Sequence, residues 1–64
     1  MWISKEAGIR RKELLDAALE LFYECGYDNT SINDIIKRVG VTKGAFYYHF
    51  KSKDEVLDVI ALQQ

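Results

Sequence analysis

The sequence holds one imidazole, His49, and one thiol, Cys25. Nucleophilic catalysis needs a base within hydrogen-bond reach of a hydroxyl or thiol and a third group to orient that base. Here every Ser, Tyr and Cys would have to share the single imidazole. The same two residues fall short of any His/Cys zinc pattern, so no metal and no cofactor is expected. Gly40-Val41-Thr42-Lys43-Gly44 has the glycines and lysine of a phosphate loop but lacks its Gly-Lys-Ser/Thr ending. Sixty-four residues leave little room for a deep cleft and its supporting shell. A small enzyme built on His49 is therefore the weakest reading, and the chain is read as not an enzyme.

A different chemistry is visible from Ile35 to Lys53, where no acidic residue occurs. This stretch carries Lys37, Arg38, Lys43, Lys51 and Lys53, with His49 besides, and it includes Phe46, Tyr47, Tyr48 and Phe50. Such a run by itself reads as a solvated face, but a locally basic stretch also suits a nucleic-acid surface, and this one coincides with the motif described below. The net charge of -1, from nine Lys+Arg and ten Asp+Glu, argues mildly the other way. Binding follows the local field rather than the sum, because salt screens charges beyond about 8–10 Å. A second basic cluster is Arg10-Arg11-Lys12, and acids gather upstream at Glu13, Asp16, Glu20, Glu24 and Asp28 and downstream at Asp54, Glu55 and Asp58.

The elements that must position these residues are all helical. No segment alternates apolar and polar residues with period two. Ile9, Leu14, Leu15, Ala18, Leu21, Phe22 and Cys25 recur at helical spacing and predict a first helix from about Gly8 to Cys25, with Ser4 as its earliest start. Gly26 is suited to the left-handed residue that ends it. After the turn formers Tyr27-Asp28-Asn29-Thr30, Ser31 and Asp34 read as a capping box for a second helix. Ile32, Ile35, Ile36 and Val39 form its inner face, and Gly40 stops it. Val41 plugs the turn, and Thr42 caps a third helix from Lys43 to about Phe50. Ser52-Lys53-Asp54-Glu55 reads as a full capping box for a fourth helix, whose apolar face is wider than one neighbour needs. The expected core is Leu14, Leu15, Ala18, Leu21, Phe22, Ile32, Ile35, Ile36, Val39, Val41, Phe46 and Phe50, with Cys25 as a small core residue.

Two short helices joined by Gly40-Val41-Thr42 form a helix-turn-helix pattern over about residues 31–50. At 100° per residue, Phe46 and Phe50 define the buried stripe of the third helix. Gly44, Ala45 and Tyr48 face outward, with Tyr47 on one flank and His49 on the other. Glycine costs a helix about 1 kcal/mol relative to alanine. An outward Gly44 beside a small Ala45 makes sense if another backbone must come close.

The run Gly40-Val41-Thr42-Lys43-Gly44-Ala45-Phe46-Tyr47-Tyr48-His49-Phe50-Lys51-Ser52-Lys53 resembles the DNA-binding domain of the TetR family of bacterial transcriptional regulators. The likeness takes in Thr30-Ser31-Ile32-Asn33-Asp34-Ile35-Ile36, Ala17-Ala18-Leu19-Glu20-Leu21-Phe22 and Gly26-Tyr27, and so covers about Arg10 to Ala61. The resemblance implies an all-α fold, a three-helix helix-turn-helix (homeodomain-like) bundle plus the start of a fourth helix. It implies that Lys43, Gly44, Tyr47 and Asn33 meet bases. It places Thr30, Ser31, Ala45, Tyr48, His49 and Lys53 against phosphates. With about five or six phosphates contacted, affinity would fall with salt at a slope of about -0.9 for each.

The resemblance also implies what this chain lacks. Family members continue into a larger all-helical domain that dimerises and binds a small inducer. The expectation is that this domain is absent here, and that homodimerisation and an inducer belong to a full-length protein. The expected function is sequence-specific binding of double-stranded DNA through the major groove in transcriptional regulation, as a repressor. The alternative is a helical protein-interaction module without DNA binding, its acid-free face meeting an acidic partner. Met1-Trp2-Ile3-Ser4-Lys5-Glu6 has no signal-peptide apolar core, and no run reaches the ~18 apolar residues of a membrane span. With a single cysteine, this points to a cytoplasmic protein that has no membrane partner.

Overall fold

A computed structural model describes residues 5–62 of the chain. Four helices follow one another: α1 (Lys5–Cys25), α2 (Ile32–Val39), α3 (Lys43–His49) and α4 (Lys53–Leu62). No strand occurs among the described residues. None of these helices is long and apolar enough to cross a membrane. The all-α bundle expected from the sequence is the fold observed, and Ser4, the earliest expected start of α1, lies outside the described residues.

α1 is the brace on which the others pack. Leu14, Leu15, Ala17, Ala18 and Leu21 are buried along its inner side, against Ile35 of α2, Phe46 of α3, Phe50 and Val56 of α4. At 1.5 Å per residue, α1 is about 30 Å long and α2 only about 12 Å. The partners cannot cover both ends of the brace. Ile9, expected on the apolar face, is therefore 51% exposed, and Cys25, expected in the core, is exposed as well.

The turn after α1 is built by backbone chemistry. Gly26 adopts φ +92°, and its N–H donates to the Phe22 carbonyl at 2.9 Å. The Asn29 amide donates to the Cys25 carbonyl at 3.0 Å. Ser31 then caps α2, and both arms of its capping box with Asp34 form at 3.0 Å. At the far end Gly40 (φ +85°) and Val41 direct their N–H groups to the Ile36 carbonyl, at 2.8 and 3.1 Å. Val41 packs half-buried on the core, as its place in the turn suggests. Arg38 lies 3.3 Å from both Glu20 and Glu24, tying α2 to α1.

Two details of α4 depart from expectation. Ser52 accepts the Glu55 N–H at 3.1 Å, but the Glu55 carboxylate takes the N–H of Lys51, one residue before the cap. The capping box is thus half formed. Val56 is fully buried, whereas the sequence reading left it and Ala17 out of the core. Ala17 shares the α1–α2 groove with Val39, and Val56 enters the core because the first turn of α4 is drawn onto the bundle by contacts from the α1–α2 loop.

Candidate nucleic-acid interface

α3 is short, and two residues decide which way it faces. Phe46 and Phe50 are 0% and 1% exposed, with ring centroids 5.8 Å apart. Thr42 holds the start, accepting the Ala45 N–H on its side chain at 3.2 Å. With that side inward, Lys43, Gly44, Tyr47 and Tyr48 are exposed together, and Ala45 and His49 are half-buried at the margins. Tyr48 is 78% exposed. Tyr47 stands edge-on to Phe46 at 5.3 Å and is 47% exposed, so one neighbour limits the ring's freedom while the residue stays accessible. A Cβ built on Gly44 would touch only the Thr42 hydroxyl at 3.8 Å, an ordinary contact. Nothing within the described residues requires glycine there.

The end of α3 meets the beginning of α1. The Arg11 guanidinium lies 5.3 Å from the centre of the Phe50 ring. His49 sits between the Tyr48 ring, at 4.9 Å, and the Phe50 ring, at 6.3 Å. Burial pushes the His49 imidazole below its ordinary value, and the charges of Arg11 and Arg10 push the same way. Near neutral pH the cation at this corner is therefore Arg11 rather than His49.

The sequence reading gave Arg11 no role, although a signal was present. Arg10 and Lys12 have acids three and four residues on, and they pair with Glu13 at 2.7 Å and Asp16 at 2.8 Å. The residues at those offsets from Arg11 are Leu14 and Leu15, which leave its charge for another use.

The start of α2 contributes less than expected. Ser31 and Asn33 are exposed. The Ser31 N–H, however, is taken by Asp34, whose carboxyl is held below its ordinary value chiefly by that backbone bond. Thr30 corrects the expectation that its side chain holds phosphate. It is 2% exposed, and its hydroxyl lies 2.8 Å from the Gly26 carbonyl and 3.2 Å from that of Leu21. A buried hydroxyl without partners would be costly, so the side chain serves the end of α1 instead. Lys53 also points inward, donating to the carbonyls of Tyr27 at 2.6 Å and Thr30 at 2.8 Å. Of the cations in the acid-free run, Lys37, Lys43 and Lys51 are exposed with no ion-pair partner among the described residues. No group of three or more His, Cys, Asp or Glu able to hold a metal occurs there either.

Comparison with known proteins accords with this geometry. Residues 14–60 match the family model described as bacterial regulatory proteins, tetR family. The chain is 45% identical over 56 residues to the HTH-type transcriptional regulator AcrR of Shigella flexneri, covering 88% of this chain and 26% of that protein. It is 42% identical to the HTH-type transcriptional regulator SrpR of Pseudomonas putida, over 86% of this chain and 26% of the relative. It is 41% identical to IcaR of Staphylococcus epidermidis, the negative transcriptional regulator of the biofilm operon icaADBC, over 72% of this chain and 25% of the relative. The chain thus spans about a quarter of the length of these relatives. No solved structure matches it. The matched segment runs from the brace helix through α3 into α4, and on it the chain belongs to the tetR family of bacterial regulatory proteins.

Proposed function

We propose that the chain binds double-stranded DNA sequence-specifically to control transcription, as the DNA-reading part of a cytoplasmic repressor and without enzymatic activity. α3 enters the major groove. Lys43, Gly44 and Tyr47 meet base edges, with Asn33 reaching from α2. Ser31, Ala45, Tyr48 and His49 lie against the phosphate walls, joined by Arg11 from α1. The observation that carries this is the division of α3 into a buried Phe46–Phe50 side and an outward side of Lys43, Gly44, Tyr47 and Tyr48. An exposed glycine that the fold itself does not require adds weight, because a duplex can then approach the helix backbone. The names of the relatives support regulation of transcription, and that of IcaR supports repression. A full-length protein would act as a homodimer on two half-sites about 34–36 Å apart, with an inducer bound outside this chain.

Selection from a pool of random-sequence duplexes tests the proposal. A shared motif should emerge, and adding the selected duplex should shift the backbone amides of Ser31, Asn33 and Thr42 to His49. Failure to enrich any motif would sink it. So would shifts confined to Val56 to Leu62 on adding the duplex, with the acid-free face responding only to an acidic protein, the outcome of a protein-interaction module.

A further inference from the structure

Lys53 occupies a position that its charge alone does not favour. It stands in the first turn of α4, where the helix dipole opposes a cation. Its ammonium is nonetheless half-buried, donating to the Tyr27 carbonyl at 2.6 Å and the Thr30 carbonyl at 2.8 Å and lying 4.2 Å from the centre of the Tyr27 ring. The next residue, Asp54, accepts a hydrogen bond from the Tyr27 hydroxyl. Two consecutive residues of α4 thus grip one loop residue at its backbone and at its tip.

The Thr30 carbonyl is the significant end of this grip. The peptide between Thr30 and Ser31 leads directly into α2. Its C=O is held by Lys53, and its N–H by Asp34 at 3.0 Å. Thr30 is further fixed by its hydroxyl, near the Gly26 and Leu21 carbonyls, and by its own N–H, which donates to Tyr27 at 3.2 Å. We infer that Lys53 is a positioning residue: its ammonium sets the angle at which α2 begins, and through α2 the seat of α3, rather than neutralising a DNA phosphate. This rests on the DNA-binding reading of α2 and α3.

The two roles differ in a measurable way. A lost phosphate contact lowers the salt slope of binding by about one, and a lost positioning contact lowers affinity with the slope unchanged. Lys53→Met keeps the length of the side chain and its packing on Tyr27. With circular dichroism showing the variant fully helical, affinity for the selected duplex should fall about tenfold or more, since both charge-assisted hydrogen bonds of Lys53 are lost, with an unchanged salt slope. In the free protein, the amides of Ser31, Ile32 and Asn33 should shift. That readout needs no DNA, so it stands even if the wild-type chain binds no duplex and the functional reading fails. Lys53→Gln, which removes the charge but keeps an amide able to donate to one of the two carbonyls, gives a milder version of the same test should Lys53→Met not fold. A slope lowered by about one, unchanged affinity, or amide shifts confined to α4 would each overturn the inference.

Discussion

Gly44 and His49 show how single residues divide their service between folding and binding. Gly44 sits in ordinary helical geometry with room for a methyl group, so Gly44→Ala should stabilise the chain by up to about 1 kcal/mol. For a domain of this size that raises the melting temperature by about 4–8 °C. Affinity for the selected duplex should fall about tenfold, because the methyl stands between helix and groove. Thermal melts and duplex titrations of the same samples would show the opposed changes, and equal affinity would remove Gly44 from the contact. His49 gives a second opposition. Its imidazole is depressed in the folded chain by burial, then by Arg11 and Arg10, so the unfolded chain takes up the proton first as pH falls. The stability due to His49 is complete above the ordinary imidazole value and is lost as pH falls through the depressed one. An adjacent phosphate favours the protonated ring, so duplex affinity should rise over the same interval. His49→Gln should flatten both profiles, and flattening of neither would remove the imidazole from the argument.

The helices were legible in the sequence wherever their signals are local, and obscure wherever the deciding partner is distant along the chain. Ser31, Asp34, Gly40 and Thr42 act within four residues of themselves, and the boundaries of α2 and the start of α3 fall where those residues place them. Periodicity within α3 likewise gave the inward side of Phe46 and Phe50. The burial of Thr30 depends on carbonyls four and nine residues back, and the orientation of Lys53 on carbonyls 23 and 26 residues back. Neither partner is visible in a helical wheel. Val56 was missed for the same reason, since the loop contacts that draw α4 inward leave no periodic trace. The local signals can be tested by removal. Ser31→Ala should cost about 1 kcal/mol, seen as a lower urea midpoint with unchanged slope. Phe50→Ala removes the residue that ends α3 against the core and supports Arg11. At about 3–5 kcal/mol, that loss equals what a core of this size supplies, so the chain should be largely unfolded at 25 °C by circular dichroism. A folded Phe50→Ala chain would show that the side chain contributes little to the core.

Across the whole molecule, a net charge of -1 conceals an asymmetry that the fold creates by spending some cations internally. α1 carries Glu13, Asp16, Glu20 and Glu24 along its exposed edge beside α2, and three of the nearby cations are neutralised there: Arg10 by Glu13, Lys12 by Asp16, and Arg38 by Glu20 and Glu24. Lys53 is held by carbonyls, and His49 is disposed to be neutral. Lys37, Lys43, Lys51 and Arg11 stay exposed with no ion-pair partner among the described residues. The expectation of about five or six phosphate contacts per domain treated the acid-free run as uniformly available. With Lys43 at base edges and the other three left for phosphates, the salt slope should instead be about -2 to -3. Measured between about 50 and 200 mM salt, Lys51→Met should reduce the magnitude of the slope by about one, because its ammonium is exposed with no ion-pair partner among the described residues. Arg38→Met should leave the slope unchanged, although it removes the same formal charge from the same stretch of sequence, because its guanidinium already faces two carboxylates on α1. Equal slopes for the two variants would mean that the duplex draws Arg38 away from Glu20 and Glu24, and that the charge separation seen in the free chain does not survive binding.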